Sequence, residues 1–469
     1  MESRRKFLKA SAAALTVAAT RPIFGIQGAN DRIRMAVIGC GNRSGRVFDA
    51  FARQSNVQWM AGAEVYRPKL DSFMTPARQT FKLDMVEDYR RILERKDVDA
   101  VLIGTPDHWH HQQTIDAIAA GKDVYVEKPA ANTVPRLNAM LDAYRKGKQV
   151  VQVGTQQRSW DHFMEAKKVL DSGVLGNITH IYIVQPGSYA RPKEAAQPVP
   201  EGLNWELWQG PAERRPFKPS RLGFRAWYEY GGGLVADWGA HHVDVAHWFM
   251  NADTKVPLKT AATGAFLTVP DADPEQVPDT FSISWQYDNF IMTFANGEVS
   301  RAQEDLEGWG VFFVGPGRGS LQVNRMGWAV WPWVPRTQRK QGAPPPPTAG
   351  GMTLSGSSPA APGAAGGPGG PGGRGAGGRG GGRGGGRGGA DLPPVEHKVY
   401  LNPRGGVEED YPLDVHVQNF LACMRTRQKP AADMEIGYHA ALPCLLALEA
   451  LQKNKTLGWD ASARTSKPL

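Results

Sequence analysis

Arg34-Met35-Ala36-Val37-Ile38-Gly39-Cys40-Gly41-Asn42-Arg43-Ser44-Gly45 reads as an apolar strand that runs into a glycine-rich turn and on into a helix-like stretch ending near Gln54. Strand, Gly-rich turn, helix is the context in which such a turn holds a dinucleotide. Gly39 permits the tight turn. Gly41 lets the backbone approach a pyrophosphate, and the helix N-terminus offers it unpaired N–H groups. Ser44 stands where a third glycine is usual and is small enough for close helix–strand packing. A second strand, Val57 to Ala63, ends in Glu64. A carboxylate there accepts hydrogen bonds from the adenosine ribose hydroxyls and repels a 2′-phosphate, so the expected cofactor is NAD, with NADP disfavoured. Arg67, three residues on, would soften that preference.

Outward from this turn the pattern repeats. A buried strand, Asp99 to Gly104, ends in Thr105-Pro106, and a helix pattern follows over 110–120. The strand Asp123 to Val126 ends in Glu127-Lys128-Pro129, before a helix over 133–146 and the strand Gln149 to Val153. Strands alternating with helices give a doubly wound parallel sheet whose ligands sit at the carboxyl ends of the strands, where all these motifs fall. Residues 31–153 are therefore expected to form a Rossmann domain. From 154 the periodicity changes to short alternating stretches at 259–268, 279–287, 290–296, 309–315 and 319–323. These predict a C-terminal α+β domain, over 154–340 and 391–469, with a mostly antiparallel open sheet. The fold class is α/β.

The second half carries its chemistry after Gly231-Gly232-Gly233, in Asp237-Trp238-Gly239-Ala240-His241-His242-Val243-Asp244. On a helix Asp237 and His241 share a face, and Asp244 also neighbours His241. A histidine beside a carboxylate is a sound general base, because the carboxylate orients the ring and stabilises its protonated form. A metal held by His241, His242, Asp244 and His247 is the competing reading; the spacing lacks a compact inward-facing set, so no metal is expected. Lys128, at a strand end in a cleft, can hydrogen-bond an alcohol and stabilise oxyanion charge. Gln156, Gln157 and Arg158 follow the last parallel strand, and Tyr189 with Arg191 could line the same cleft. Trp160, Trp205, Trp208 and Trp227 offer flat faces suited to sugar rings.

The Gly turn, Thr105-Pro106-Asp107-His108-Trp109-His110 and above all Ala120-Gly121-Lys122-Asp123-Val124-Tyr125-Val126-Glu127-Lys128-Pro129 together resemble the glucose–fructose oxidoreductase / inositol dehydrogenase (Gfo/Idh/MocA) family. The resemblance covers about 32–335 and 391–469. It implies that Lys128 lies beside the nicotinamide and the substrate hydroxyl, and that Pro129 is cis or kinked. It implies that Asp237 and His241 work with Lys128, His241 moving the hydroxyl proton and Asp237 orienting it and touching substrate. The expected cofactor-binding set is Gly39, Gly41, Asn42, Arg43, Ser44, Glu64, Thr105, Pro106, His108, His110, Glu127 and Lys128. The expected substrate contacts are Gln157, Arg158, Tyr189, Asp237 and His241. A homo-oligomer built through the open sheet is implied as well.

Bulk properties bound these readings. The chain's 469 residues exceed one ordinary domain. Of its net charge of +9, residues 1–30 hold +4 and residues 341–390 hold +4, leaving +1 for the remainder. A nearly neutral folded part argues against a nucleic-acid partner. Three cysteines, Cys40, Cys423 and Cys444, make no disulfide framework. Ser3-Arg4-Arg5-Lys6-Phe7-Leu8-Lys9, followed by the apolar Ala10 to Ala19, has the form of a twin-arginine export signal over 1–30, and no apolar run is long enough to leave a membrane span once it is removed. Residues 341–390, Pro-rich and then Gly-Gly-Arg-rich, cannot bury a core and are expected to be a disordered insertion. Export to the periplasm, where free NAD is scarce, predicts a tightly bound cofactor loaded before transport. The function expected is NAD-dependent oxidation or reduction of a sugar, polyol or glycoside hydroxyl. The alternatives are a redox-neutral glycoside hydrolase, lyase or epimerase that uses NAD for transient oxidation, and a non-catalytic sugar-binding protein.

Overall fold

The computed structural model describes residues 32–297, 306–333, 394–402 and 410–469. The export signal and the 341–390 insertion lie outside the described residues. As expected, the first half is a parallel sheet. Its strands are β1 (Ile33–Ile38), β2 (Val57–Ala63), β3 (Asp84–Val86), β4 (Ala100–Ile103), β5 (Asp123–Val126) and β6 (Val151–Val153), in the order β3-β2-β1-β4-β5-β6. Alternate residues of each central strand point into different cores. Met35, Val37 and Leu102 join Phe48 and Phe51 of the Asn42–Ala52 helix on one face. Ala36, Ile38, Val101 and Ile103 join residues of the Asp107–Ala119 and Val134–Lys146 helices, such as Ala117, Leu137 and Met140, on the other. Burial on both faces explains why these strands are near-continuous Val/Ile/Leu runs. At about 1.5–3 kcal/mol for each large apolar side chain buried, they hold the sheet rigid behind its loops. The order reverses between β1 and β4, which places a crevice at their carboxyl ends.

The second half forms a ten-stranded sheet in the order β14-β13-β12-β11-β7-β10-β9-β8-β15-β16. Its strands are β7 (His180–Val184), β8 (Lys259–Ala265), β9 (Thr280–Gln286), β10 (Ile291–Ala295), β11 (Gly310–Gly315), β12 (Gly319–Asn324), β13 (Gly327–Pro332), β14 (Lys398–Leu401), β15 (Leu457–Asp460) and β16 (Thr465–Pro468). Every pairing is antiparallel except β7 with β10. Alternation decides which face is covered: Phe281, Ile283 and Trp285 of β9 point inward, while Ser282 and Gln286 are exposed. The Gly233–Phe249 and Met434–Lys453 helices contribute to that inner core. Met434–Lys453 is long and apolar enough to cross a membrane by length and composition. Here it is a core helix, with Leu442, Leu445 and Leu446 buried.

One segment departs from the expected partition. The Asp410–Thr426 helix, placed in the second domain by its position in the chain, packs on the first. Leu413, Val417 and Phe420 complete the core around Phe48, Phe51 and Tyr125, with the Phe420 ring 5.9 Å from Phe51 and 6.0 Å from Tyr125. Arg427, just after it, pairs with Asp123 at 2.8 Å. The apolar side of the Asn42–Ala52 helix is wider than the parallel sheet alone can cover, and this helix covers the rest.

Candidate active site

A cavity of about 400 Å³ opens at the carboxyl ends of β1, β2, β4 and β5 and is walled on its far side by the Gly233–Phe249 helix. Gly39 and Gly41 both line it, for different reasons. Gly39 has φ +87°, and a Cβ there would meet Thr105 Cγ2 at 2.8 Å. A Cβ on Gly41 would meet no atom within 4 Å. Gly41 also precedes the Asn42–Ala52 helix without a side-chain cap, so the first N–H groups are left for a ligand. Ser44 lies beneath the cavity, its hydroxyl donating to Gly104 O at 3.0 Å. It serves helix–strand packing rather than ligand contact. Asn42 and Arg43 line the wall, and Arg43 pairs with Glu127 at 3.0 Å.

Glu64 closes the β2 end. Its Oε2 accepts from the Cys40 N–H at 2.7 Å, and its Oε1 from the Val65 and Tyr66 N–H groups at 2.9 Å each. Burial raises its pKa, and the three N–H bonds oppose that rise without cancelling it. Arg67 turns away to Asp71 at 2.7 Å; Lys69, on the cavity wall, is the cation whose charge acts on Glu64.

Thr105 and Pro106 line the cavity, but the two histidines that follow do not. His108 Nε2 lies 2.9 Å from Trp208 O, among aromatic rings, and burial pushes its pKa down to about 3. His110 sits between two carbonyls, Pro129 O at 2.8 Å and Thr105 O at 2.9 Å, and ties two strand ends together. Both were expected at the cofactor; His110 has both ring nitrogens, and His108 its Nε2, on the protein's own backbone carbonyls, and neither lines the cavity.

The Lys128–Pro129 peptide is cis. Lys128 Nζ donates to Asp237 Oδ1 at 2.5 Å and to Asp237 O at 2.9 Å. Tyr189 donates its hydroxyl to Asp237 Oδ2 at 2.5 Å, and Arg225 Nε reaches Oδ1 at 3.1 Å. Burial alone would raise the pKa of Asp237; the Lys128 and Arg225 charges outweigh it and hold the carboxyl well below the usual range. His241 lines the cavity one turn further along the helix, its ring edge-on to Trp238 at 6.0 Å. The expected orientation of His241 by a carboxylate is not made. Asp237 is engaged by Lys128, Tyr189 and Arg225, and Asp244 by Arg158 at 2.8 Å. Nδ1 of His241 is buried without a hydrogen-bond partner among the described residues. Burial, then the charges of Lys128, Arg325 and Arg43, push its pKa well down.

Three expected substrate contacts lie off the wall. Arg158 is buried between Asp244 and Asp253 (2.6 Å) and pins the helix from behind. Gln157, 1% exposed, has neither amide atom partnered, while Gln156 does reach the cavity. Tyr189 faces an adjoining hollow with Arg191, Lys193 and Arg225, and meets the site through Asp237. The other histidines of the competing metal set have protein partners: His242 with Gln185 at 3.0 Å and His247 with the Tyr287 hydroxyl at 2.6 Å. Trp208 lines the cavity, whereas Trp160, Trp205 and Trp227 are core residues.

Sequence reasoning missed Asp107, Arg225, Trp238 and Arg325, all on the wall. Arg325 lies over the Trp238 ring at 4.6 Å. Arg225 sits in a short 3₁₀ turn, Phe224–Ala226, that leaves no periodic signal. Asp107 was detectable as an acid opening a helix at the carboxyl end of a buried strand.

Comparison with known proteins follows the same division. Residues 33–155 match the Gfo/Idh/MocA profile described as "Oxidoreductase family, NAD-binding Rossmann fold". Residues 161–308 match its companion, "Oxidoreductase family, C-terminal alpha/beta domain". Oxidoreductase P35 of Formosa agariphila is 30% identical over 151 residues, 31% of this chain and 45% of that protein. Inositol 2-dehydrogenase of Klebsiella pneumoniae is 37% identical over 94 residues, 20% of this chain and 28% of that protein. The match thus spans less than half the length of either relative. The crystal structure of scyllo-inositol dehydrogenase from Lactobacillus casei, with bound NAD(H) and scyllo-inositol, superposes with a TM-score of 0.56 at 18% identity, covering 91% of this chain and 99% of that one.

Proposed function

The chain belongs to the Gfo/Idh/MocA oxidoreductase family, and from that premise we propose that it is an exported enzyme acting, with a tightly held NAD, on a hydroxyl-bearing carbon of a sugar, polyol or glycoside. The observation that carries this reading is the Lys128–Asp237 contact at 2.5 Å, in the same cavity as the glycine turn and His241. The residues fit a dinucleotide. The open space at Gly41 and the uncapped helix start suit a pyrophosphate, and the Glu64 carboxylate suits ribose hydroxyls and favours NAD over NADP. NAD, when bound, supplies a carbon that accepts or returns two electrons with a hydrogen. The protein's part is positional and electrostatic. Lys128 gives two of its three N–H donors to Asp237 and keeps one for a substrate oxygen. Trp109, Trp208, Trp238 and Phe224 present apolar surface to a sugar ring.

Arg4-Arg5 and the apolar stretch behind them support export by the twin-arginine route to the periplasm. An enzyme so placed keeps its cofactor and resets it within each turnover. Carboxyl groups held at opposite protonation tendencies, Asp107 up and Asp237 down, favour as a second reading a redox-neutral lyase, hydrolase or epimerase. Assembly of copies through the open face of the ten-stranded sheet is part of the proposal and is measured by light scattering.

The deciding experiment is nucleotide extraction. Protein purified from the exported fraction, dialysed and denatured, should release one NAD or NADH per chain. A glycoside cleaved without net NADH then selects the second reading, and an oxidised sugar the first. Empty protein that also fails to bind added NAD would overturn the proposal in favour of a sugar-binding protein.

A further inference from the structure

A second hollow, of about 500 Å³, opens beside the cavity, and Arg225 lines both. That volume lies in the range that holds a small ligand. Arg191 and Lys193 line the hollow too. Their backbone is pinned: the Arg191 N–H donates to Gln276 Oε1 at 2.8 Å and the Lys193 N–H to Asp271 O at 2.9 Å. Pro192, between them, forms a β-bridge with Ala272, so the two side chains share a face. Neither has an ion-pair partner among the described residues. The hollow's one carboxylate, Glu194, accepts the Ser220 N–H at 2.6 Å.

The Arg225 guanidinium is fixed on one edge and open on the other. Its Nε donates to Asp237 Oδ1 at 3.1 Å, and it lies over the Phe224 ring at 4.7 Å. Its two terminal nitrogens donate to no described residue, and the side chain keeps 39% of its surface exposed. Asp237 and Asp107 are the carboxylates whose charges act on it, and Asp237 is already shared with Lys128. A planar fork held this way matches the paired oxygens of a carboxylate or phosphate. We propose that the hollow is an anion subsite and that the substrate is an acidic sugar. Its carboxylate or phosphate ester is gripped by Arg225, with Arg191 and Lys193 lining the approach. The inference deepens the reading above and rests on it for the reacting hydroxyl. Lys128 and Arg225 reach the same oxygen of Asp237. A hydroxyl at Lys128 and an anion at Arg225 therefore belong to one molecule, on one ring or on adjoining units. A neutral sugar leaves the fork unpaired, which is the basis of discrimination.

Titration calorimetry on purified protein with NAD added tests this. D-glucuronate, D-galacturonate and D-glucose 6-phosphate are each compared with the neutral parent sugar. At least one acid should bind about 10–100-fold more tightly than its parent, and which one tells carboxylate from phosphate. D-glucuronamide, of the same shape without the charge, should bind no better than glucose. Arg225→Ala should bring the preferred acid down to its parent's affinity, and Arg225→Lys should recover only part. If Arg225 served only to support Asp237, acid and parent would weaken together and their ratio would stand. The double variant Arg191→Ala/Lys193→Ala changes two exposed side chains. It should weaken the acid several-fold, leave the parent sugar unchanged and flatten the acid's salt dependence. Absence of any acid preference, or a ratio undiminished in Arg225→Ala, would overturn the subsite. Should Arg225→Ala not fold, an undiminished ratio in the double variant does so. Nucleotide released on denaturation is counted in the protein as isolated. A full complement of NAD with no acid preference sinks the subsite alone. Protein that neither holds nor binds NAD sinks the proposed function, and the affinity ratios still decide the subsite.

Discussion

Lys128 and Asp237 stand 109 residues apart in the chain and share two hydrogen bonds in the fold. Replacing Lys128 by Ala leaves Asp237 with Arg225 and Tyr189, so the carboxylate stays ionised and the structure holds. Single-turnover kinetics should fall by about 10²-fold or more while extraction still finds nucleotide. Loss of the nucleotide would show that Lys128 anchors the cofactor rather than the substrate. Glu64→Gln removes the charge proposed to face the ribose, and binding titrations should show NAD affinity falling roughly 10-fold, with the gap to NADP narrowing. An unchanged ratio would move cofactor selection to another residue, Lys69 first. The residues legible beforehand were those whose role is dictated by backbone position: Gly39, Gly41, Glu64 and Lys128 sit at strand ends that the alternation of apolar runs locates. His108, His110, Arg158 and the partner of His241 were misplaced, because their roles depend on which polar group a buried nitrogen or carboxylate meets across the fold. Spacing along a helix puts Asp237 and His241 on one face but says nothing of Lys128, Tyr189 and Arg225 arriving from elsewhere to claim the carboxylate.

The glycine turn and the helix it opens make a paired test. Gly39→Ala forces a Cβ at φ +87° and within 2.8 Å of Thr105, and should destabilise by about 2–4 kcal/mol in denaturant titration. Gly41→Ala places a methyl where no protein atom lies within 4 Å, at a φ of −76° that alanine adopts freely. Its melting without nucleotide should match the wild type while NAD affinity drops; equal affinity would show that the pyrophosphate does not cross this point. Most elements were legible because burial on two faces yields continuous apolar runs and burial on one face yields alternation. β13 to β16 were not foreseen. Gly327–Pro332 is buried along most of its length, so it lacks alternation, and Lys398–Leu401 and Thr465–Pro468 are edge pieces with little apolar content.

At the scale of the molecule, the two sheets meet across one cavity, and the Asp410–Thr426 helix closes the core behind the glycine turn. A fragment of residues 32–155 should therefore fail as an independent domain. It exposes Phe51 and Tyr125 where Phe420 belongs, and gel filtration should find it aggregated; a monomeric, NAD-binding fragment would show the helix to be dispensable. This closure also orders events in time. A ribosome delivers Phe51 hundreds of residues before Phe420, so the nascent nucleotide-binding half stays unfinished, its apolar core open, until that helix emerges. The late helix thus acts as a checkpoint on the fold: a chain broken off before it leaves Phe51 and Tyr125 without the Phe420 ring that covers them.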